Sequence, residues 1–470
     1  MHEVRVEAMS LDRLAPLVGP RRMERFDRTA TATRDRLAGR RVINVNSTGR
    51  GGGVAELLQT LLAYGRGAGL DVRWLVIDGD PLFFEITKRI HNHLYGGAGD
   101  GGPLGPRERA HYADVAQSNA AALRRYVRPG DVIVLHDPHT AALVPEISGW
   151  GVRVVWRCHV GVDVPNDFSE KGWSFLRPFL YDVDSFVFSR ASFAPAWIPS
   201  GRLSLIPPSI DPFSAKNVAI APERVTALLQ DVGLLAEDGA HRPMPFVRRD
   251  GTRGAVTCLV DLNDTGPAPP LGVPVVLQAS RWDRMKDMPG VMVGFADSAA
   301  TTTDAHLILA GPATDGVDDD PEANAVLRDC RAEWARLPSP IRARVHLACV
   351  PMTDADEAAT IVNALQRHAT VVVQKSLAEG FGLTVTEAMW KSRPVVASAV
   401  GGLADQVVPG QTGWLVEPND LALYGSALCS LLSDPEAATA MGVAGYKRAV
   451  DEFLADRHLE QWATVFEKLQ

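Results

Sequence analysis

Short, almost wholly apolar runs recur along the chain, separated by longer stretches with apolar residues at helical spacing. RVINVNS (41–47), DVRWLVID (71–78), DVIVLHD (131–137), RVVWRCH (153–159), SFVFS (185–189) and LSLIPP (203–208) are too short for helices and rich in β-branched and aromatic residues, so each is read as a strand. They do not alternate polar with apolar, which marks strands covered on both faces, as in a parallel sheet. VAELLQTLLAYGRGAG (54–69) and YADVAQSNAAALRRYV (112–127) are read as helices between them. From about 213 to 270 the pattern breaks. A helical piece, PERVTALLQDVGLL, is followed by polar, Pro-rich sequence ending in NDTGPAPPLGVP, a stretch read as linker and insertion with no role assigned. The rhythm then restarts with VPVVLQAS (273–280), HLILAGP (306–312), RVHLACVP (344–351), ATVVVQKS (369–376), RPVVASAV (393–400) and GWLVEP (413–418), and a helical tail runs from about 434 to the end. The expectation is an α/β protein of two consecutive Rossmann-like, doubly wound halves.

Length and charge sharpen this without changing it. At 470 residues the chain exceeds one ordinary core. Hydrophobic residues make up 46% and charged residues 22%, as in a water-soluble globular protein, and the net charge of −8 argues against nucleic acid as a partner. The five cysteines are scattered and form no CxxC pair, which favours reduced thiols over a metal site or disulfide framework. The N-terminal MHEVRVEAMSLDRL has no apolar signal core, and no apolar run approaches the ~20 residues that span a bilayer. A cytoplasmic protein with no membrane partner is expected.

The chemistry concentrates in LAEGFGLTVTEAMWKS (377–392), directly after the strand ATVVVQKS. Gly380 and Gly382 flank Phe381 in a turn whose backbone can approach a ligand closely. A helix beginning near Leu383 would present the amides of Leu383 and Thr384 and the positive end of its dipole, a natural seat for phosphate. Glu379 precedes the turn and addresses whatever lies beyond the phosphate. Glu387, one turn into the helix, can accept from paired hydroxyls such as those of a ribose. Two solvated loop glutamates are the bland alternative; the strand, turn, helix start and both acids together favour the site. In QASRWDRMKDMPG (278–290), Arg281 and Lys286 lie five apart ahead of a helix, as a diphosphate would require, although a solvated basic loop has the same composition. In the first half, VINVNS leads into TGRGGG, another Gly-rich strand-to-helix turn suited to phosphate, with neither a Walker GK[ST] nor a good GxGxxG. Asp78 ends the next strand where a ribose-binding acid would sit, so a dinucleotide reading of this half stays open. His159 and Asp137 each end a strand, where ligands gather in open α/β sheets. A lone histidine is more often structural. Asp137 is a candidate for acceptor hydroxyls. Asp318, Asp319 and Asp320 form an acidic run in a loop, read as solvated; no DxD is placed to carry a metal.

Glu379 and Glu387 with their surroundings resemble the E-x7-E signature of the retaining GT-B glycosyltransferases of family four, and RPVVASAVGGLADQVVPGQTGWLVEPND resembles that family's continuation. The resemblance implies a GT-B fold, two Rossmann-like domains facing a central cleft. Their expected extents are 1–215 on the acceptor side and 216–449 on the nucleotide-sugar side, with a last helix of about 450–470 packed back on the first. It also implies that Glu379 contacts the donor sugar, that Glu387 binds the ribose, that Arg281 and Lys286 hold the diphosphate and that His159 lies near the sugar. A narrower resemblance, to trehalose glycosyltransferring synthases, rests on VNSTGRGGGVAELLQTLL, WLVIDGDPLFFEITKRIHNHLYG, LHDPH, WRCH, IPPSID and SRWDRMKDMPGV, in that order. It implies transfer of glucose from UDP- or ADP-glucose to glucose, giving α,α-trehalose with retention. The catalytic group would be Glu379, Arg281, Lys286 and His159. The donor side would comprise Gly52, Gly53, Gly380, Phe381, Gly382, Leu383, Thr384, Glu387 and Val350; the acceptor side would comprise Glu56, Asp80, Asp137 and Lys88, the last equally readable as a surface residue. Neither cofactor nor metal is implied, and a homodimer only by resemblance. Another acceptor, of sucrose or glycogen type, remains an alternative, as does a silent sugar-nucleotide-binding regulator.

Overall fold

A computed structural model describes residues 1–49, 52–236, 243–248, 251–314 and 321–469. Asp318–Asp320, Gly51 of the first Gly-rich turn and part of the 240–270 segment lie outside the described residues. The chain divides into two compact units, Met1–Ile210 with Phe453–Gln470, and Asp211–Glu452.

The first unit holds strands β1 (His2–Val4), β2 (Val42–Asn46), β3 (Val72–Val76), β4 (Val132–His136), β5 (Arg153–Cys158), β6 (Ser185–Phe188) and β7 (Leu203–Leu205), arranged β1-β3-β2-β4-β5-β6-β7. All pairings are parallel except that of β1 with β3. Every residue of β2 and β4 is buried, as a sheet covered on both faces requires. The faces alternate along each strand. Ile43, Ile133 and Trp156 pack with Phe83, Tyr112 and Trp173 on one side. Val42, Val134 and Val155 pack with Leu58, Trp462 and Phe466 on the other. Trp462 and Phe466 belong to the last helix, Ala455–Lys468, which lies against the helices Pro20–Arg36 and Gly52–Gly67. It is fastened by Arg22, whose guanidinium forks onto the buried Asp456 carboxylate (Nη2–Oδ1 2.9 Å).

The second unit adds the antiparallel hairpin of β8 (Pro245–Val247) and β9 (Arg253–Ala255). Its main sheet comprises β10 (Val275–Ala279), β11 (His306–Pro312), β12 (Val345–Val350), β13 (Val371–Gln374), β14 (Val395–Ser398) and β15 (Gly413–Val416). Their order is β12-β11-β10-β13-β14-β15, all parallel. The stretch read as a linker is corrected here. Val225, Leu228, Leu229, Val232, Leu234 and Leu235 are buried in one cluster with Val275, Leu277 and Val372, so the helix Pro222–Asp231 and the turn after it are part of this unit's core. The segment is fastened further on, where Glu357 Oε1 accepts the backbone N–H groups of Thr257 and Cys258 (2.5 and 2.9 Å).

Each sheet has one point at which successive strands depart in opposite directions. It lies between β2 and β4 in the first unit and between β10 and β13 in the second. Loops leaving the carboxyl ends of the strands beside such a point flank a crevice, the usual ligand position in open α/β sheets.

Candidate active site

In the second unit the loops after β10 and β13 meet at that point. The Glu379 carboxylate is ion-paired with Lys286 Nζ, and its Oε2 accepts a hydrogen bond from the buried Ser376 hydroxyl at 3.2 Å. A second ion pair joins Lys375, the residue following β13, to Asp287. Gln278 of β10 ties the loops through backbone groups. Its Oε1 accepts from Lys375 N–H (2.9 Å) and its Nε2 donates to the Lys286 carbonyl (2.7 Å). Leu377 N–H donates to the Met285 carbonyl (2.8 Å). Asp287 sits at φ +46°, a left-handed conformation an Asp tolerates, and accepts from Gly290 N–H to cap the helix Met288–Ala296. Two cations and two carboxylates are thereby held in fixed partnership across two loops.

The turn Gly380-Phe381-Gly382 leads into the helix Leu383–Trp390, which no side chain caps. Its first amides are therefore left for a guest, and the dipole favours an anion there. Gly382 has φ +82°, and a Cβ on it would meet Leu403 Cδ2 at 2.4 Å and Glu379 Cγ at 3.2 Å. Gly401 allows the approach from the other side, since a Cβ there would stand 1.6 Å from the Glu379 carbonyl oxygen. Glycine is thus required at Gly401 by the Glu379 backbone and at Gly382 by its own positive φ and the Leu403 side chain. Phe381 is buried, and its carbonyl accepts from Gln406 Nε2. Glu387, in the second helical turn, is only 5% exposed. The buried Lys391 ammonium beside it donates to Asn217 Oδ1 (2.9 Å) and to the Glu387 carbonyl (3.1 Å). Burial lowers Lys391 to about 7, a shift that the neighbouring Glu387 charge opposes.

Arg281 is not drawn into this cluster. Its side chain is 67% exposed, with the guanidinium on Asp283 Oδ2 at 3.1 Å. Val350 is not drawn into this cluster either. Its side chain is buried in the core, its carbonyl accepts from Ala313 N–H (2.8 Å), and β12 is the edge strand, two places from β10. The spacing along the chain did not reveal that strand order.

In the first unit, Asp137 and His159 adjoin. Asp137, at φ +61°, accepts the His159 backbone N–H on Oδ1 at 2.7 Å. Burial raises its pKa to about 7, opposed by that hydrogen bond and by the Arg157 charge. His159 lies beside His136, and burial holds both below the ordinary histidine range, His136 at about 3. The acceptor candidates closer to the N-terminus are less gathered. Asp80 is exposed; it caps the helix Pro81–Leu94 by accepting from Phe83 N–H (2.8 Å) and pairs with His111 (2.9 Å). Lys88 is exposed on the same helix, and Gly52, Gly53 and Glu56 occupy the first turns of the helix Gly52–Gly67. The sequence reading missed Ser376, Lys375, Asp287, Gln278 and His136. Four of these stand at the carboxyl end of β10 or β13 or in the adjoining loops, so the strand order was the signal that could have found them.

The model of the trehalose synthase N-terminal domain matches residues 44–195, and that of group 1 glycosyl transferases matches residues 264–448. The trehalose synthase of Rubrobacter xylanophilus is 35% identical over 437 residues, covering 92% of each chain. That of Pyrococcus horikoshii is 30% identical, covering 93% of this chain and 91% of its own. Among solved structures, the α,α-trehalose-phosphate synthase (UDP-forming) of Burkholderia xenovorans, in complex with glucose-6-phosphate, superposes with a TM-score of 0.67 at 16% identity, covering 92% of this chain and all of that one. The fold is GT-B, that of a large class of glycosyltransferases. Within that class the chain belongs to the trehalose synthase family.

Proposed function

We propose that the protein transfers glucose from a nucleoside-diphosphate glucose to glucose, forming α,α-trehalose with retention at the donor carbon. The observation that carries this is the cluster Lys286–Glu379–Ser376 beside an uncapped helix N-terminus at the switch point of the second unit. The trehalose product is supported by a family likeness that runs through both units.

In this reading Lys286, Arg281 and the amides of Leu383 and Thr384 hold the diphosphate and take up the charge that grows as the bond from C1 to the leaving oxygen breaks. The acceptor hydroxyl attacks C1 from the face the diphosphate is leaving, and its proton passes to an oxygen of the departing phosphate. Glu379 orients the sugar and does not attack it: its carboxylate is pinned by Lys286 and Ser376. Glu387 accepts from the ribose hydroxyls. His159 and Asp137 serve sugar hydroxyls. No metal or redox cofactor takes part.

Transfer assays with UDP- and ADP-glucose on Glu379→Gln, Lys286→Ala and Arg281→Ala test the assignment. Lys286→Ala is expected to lower kcat by about 100-fold or more. Wild-type rates in Glu379→Gln and Arg281→Ala together would remove the site from the reaction.

A further inference from the structure

Asn44, His136 and His159 stand on three neighbouring strands or their ends. Residue 44 lies in β2, 136 ends β4, and 159 is the first residue beyond β5. Alternation puts them on one face, that of Val42, Val134 and Val155, the face the last helix covers. His136 Nε2 is 3.0 Å from Asn44 Oδ1, and His136 Nδ1 is 3.3 Å from His159 Nε2. The two rings lie edge to edge and nearly coplanar, with centroids 5.6 Å apart and planes 13° from parallel. Asn44 and His136 are buried, and His159 is half-buried at the open end of the row.

We infer that His136 is a positioning residue: anchored on Asn44, it fixes His159 as the tautomer that donates from Nε2 and offers Nδ1 to accept a sugar hydroxyl. The inference rests on the reading that a sugar seats at His159. An amide oxygen only accepts, so the proton shared with Asn44 belongs to His136 Nε2. A neutral imidazole has one N–H, so His136 Nδ1 carries a lone pair. Two lone pairs cannot face each other across 3.3 Å, and His159 Nε2 must therefore bear the proton. Its Nδ1 is then an acceptor. The surroundings favour the neutral rings. Arg157, 1% exposed, lies on the same face, and its charge disfavours a further cation at either histidine; His458 of the last helix acts likewise on His159. Asp137 holds the His159 backbone through its N–H, leaving the ring orientation to His136.

The test is the tautomer itself, read from long-range proton–nitrogen spectra of the full chain labelled in its histidines, with resonances assigned by His136→Gln and His159→Gln. Wild-type His159 is expected to carry its proton on Nε2. In His136→Phe, which keeps an aromatic ring in the row but no acceptor, both tautomers should appear. A wild-type Nδ1–H form, as an Asn44 amide turned the other way would impose, overturns the inference, and so does a tautomer unmoved by His136→Phe. These spectra do not depend on turnover, so they stand apart from failure of the trehalose reading. Kinetics add the link to substrate. His136→Phe and Asn44→Leu, checked for native circular dichroism, should lower kcat/KM about tenfold for the hydroxylated sugar. They should leave unchanged the rate with the deoxy-sugar that His159→Ala also fails to slow. Equal losses on every sugar would reduce His136 to a packing residue.

Discussion

Asp137 shows how one carboxyl can bear on both stability and chemistry. Its folded pKa is raised to about 7 from an ordinary 3.8, so the folded state holds the proton more tightly than the unfolded chain. Its contribution to stability is full below about 4 and is lost as pH rises through 7. Asp137→Asn removes the ionisation and keeps a side chain of the same shape at this positive-φ position (φ +61°, ψ 178°). Melting curves should show the variant gaining on the wild type between pH 5 and pH 8; a difference that is the same at both values would contradict this. Legibility at this scale divides by whether partners are near in sequence. Glu379, the glycines beside it and Glu387 fall within one strand–turn–helix unit and could be read directly. Lys286 was legible as a charge, but its pairing with Glu379, 93 residues away, was not. His159 read alone looked more structural than functional, because His136 and Asn44 reach it only across the sheet.

At the scale of elements, most of the strands that were legible are buried on both faces, where apolar runs leave little choice; β7, half-buried to exposed at Leu203–Leu205, was read from its apolar run alone. β1 and the hairpin β8–β9 are three-residue strands with mostly exposed or half-buried side chains, so their sequences carry no such pattern. The segment 222–235 misled for another reason. Pro-rich and polar sequence after it suggested a linker, yet its own apolar spacing, Val225, Leu228, Leu229 and Val232, makes a core-facing stripe. Leu229→Ala should destabilise the second unit by about 2–5 kcal/mol, the range for a fully buried leucine. Urea unfolding of the full chain checks this, and a loss under 0.5 kcal/mol, about what an exposed linker position gives, would return the segment to linker status.

For the whole molecule, the order of strands turns scattered motifs into sites. Both sheets reverse direction beside a Gly-rich or Glu-bearing loop, at β2/β4 and at β10/β13. The chain enters the second unit after Ile210 and returns at Phe453, where Ile210 N–H donates to the Phe453 carbonyl at 2.9 Å. The last helix then completes the core of the first unit. Both units carry the family likeness, the first to the trehalose synthase N-terminal domain and the second to group 1 glycosyl transferases. The most direct test of the central claim is proton NMR of the product formed from UDP- or ADP-glucose and carbon-13-labelled glucose. The account predicts a non-reducing disaccharide with both anomeric centres α and one labelled ring. A β linkage, a reducing disaccharide, or no transfer with either donor would contradict it.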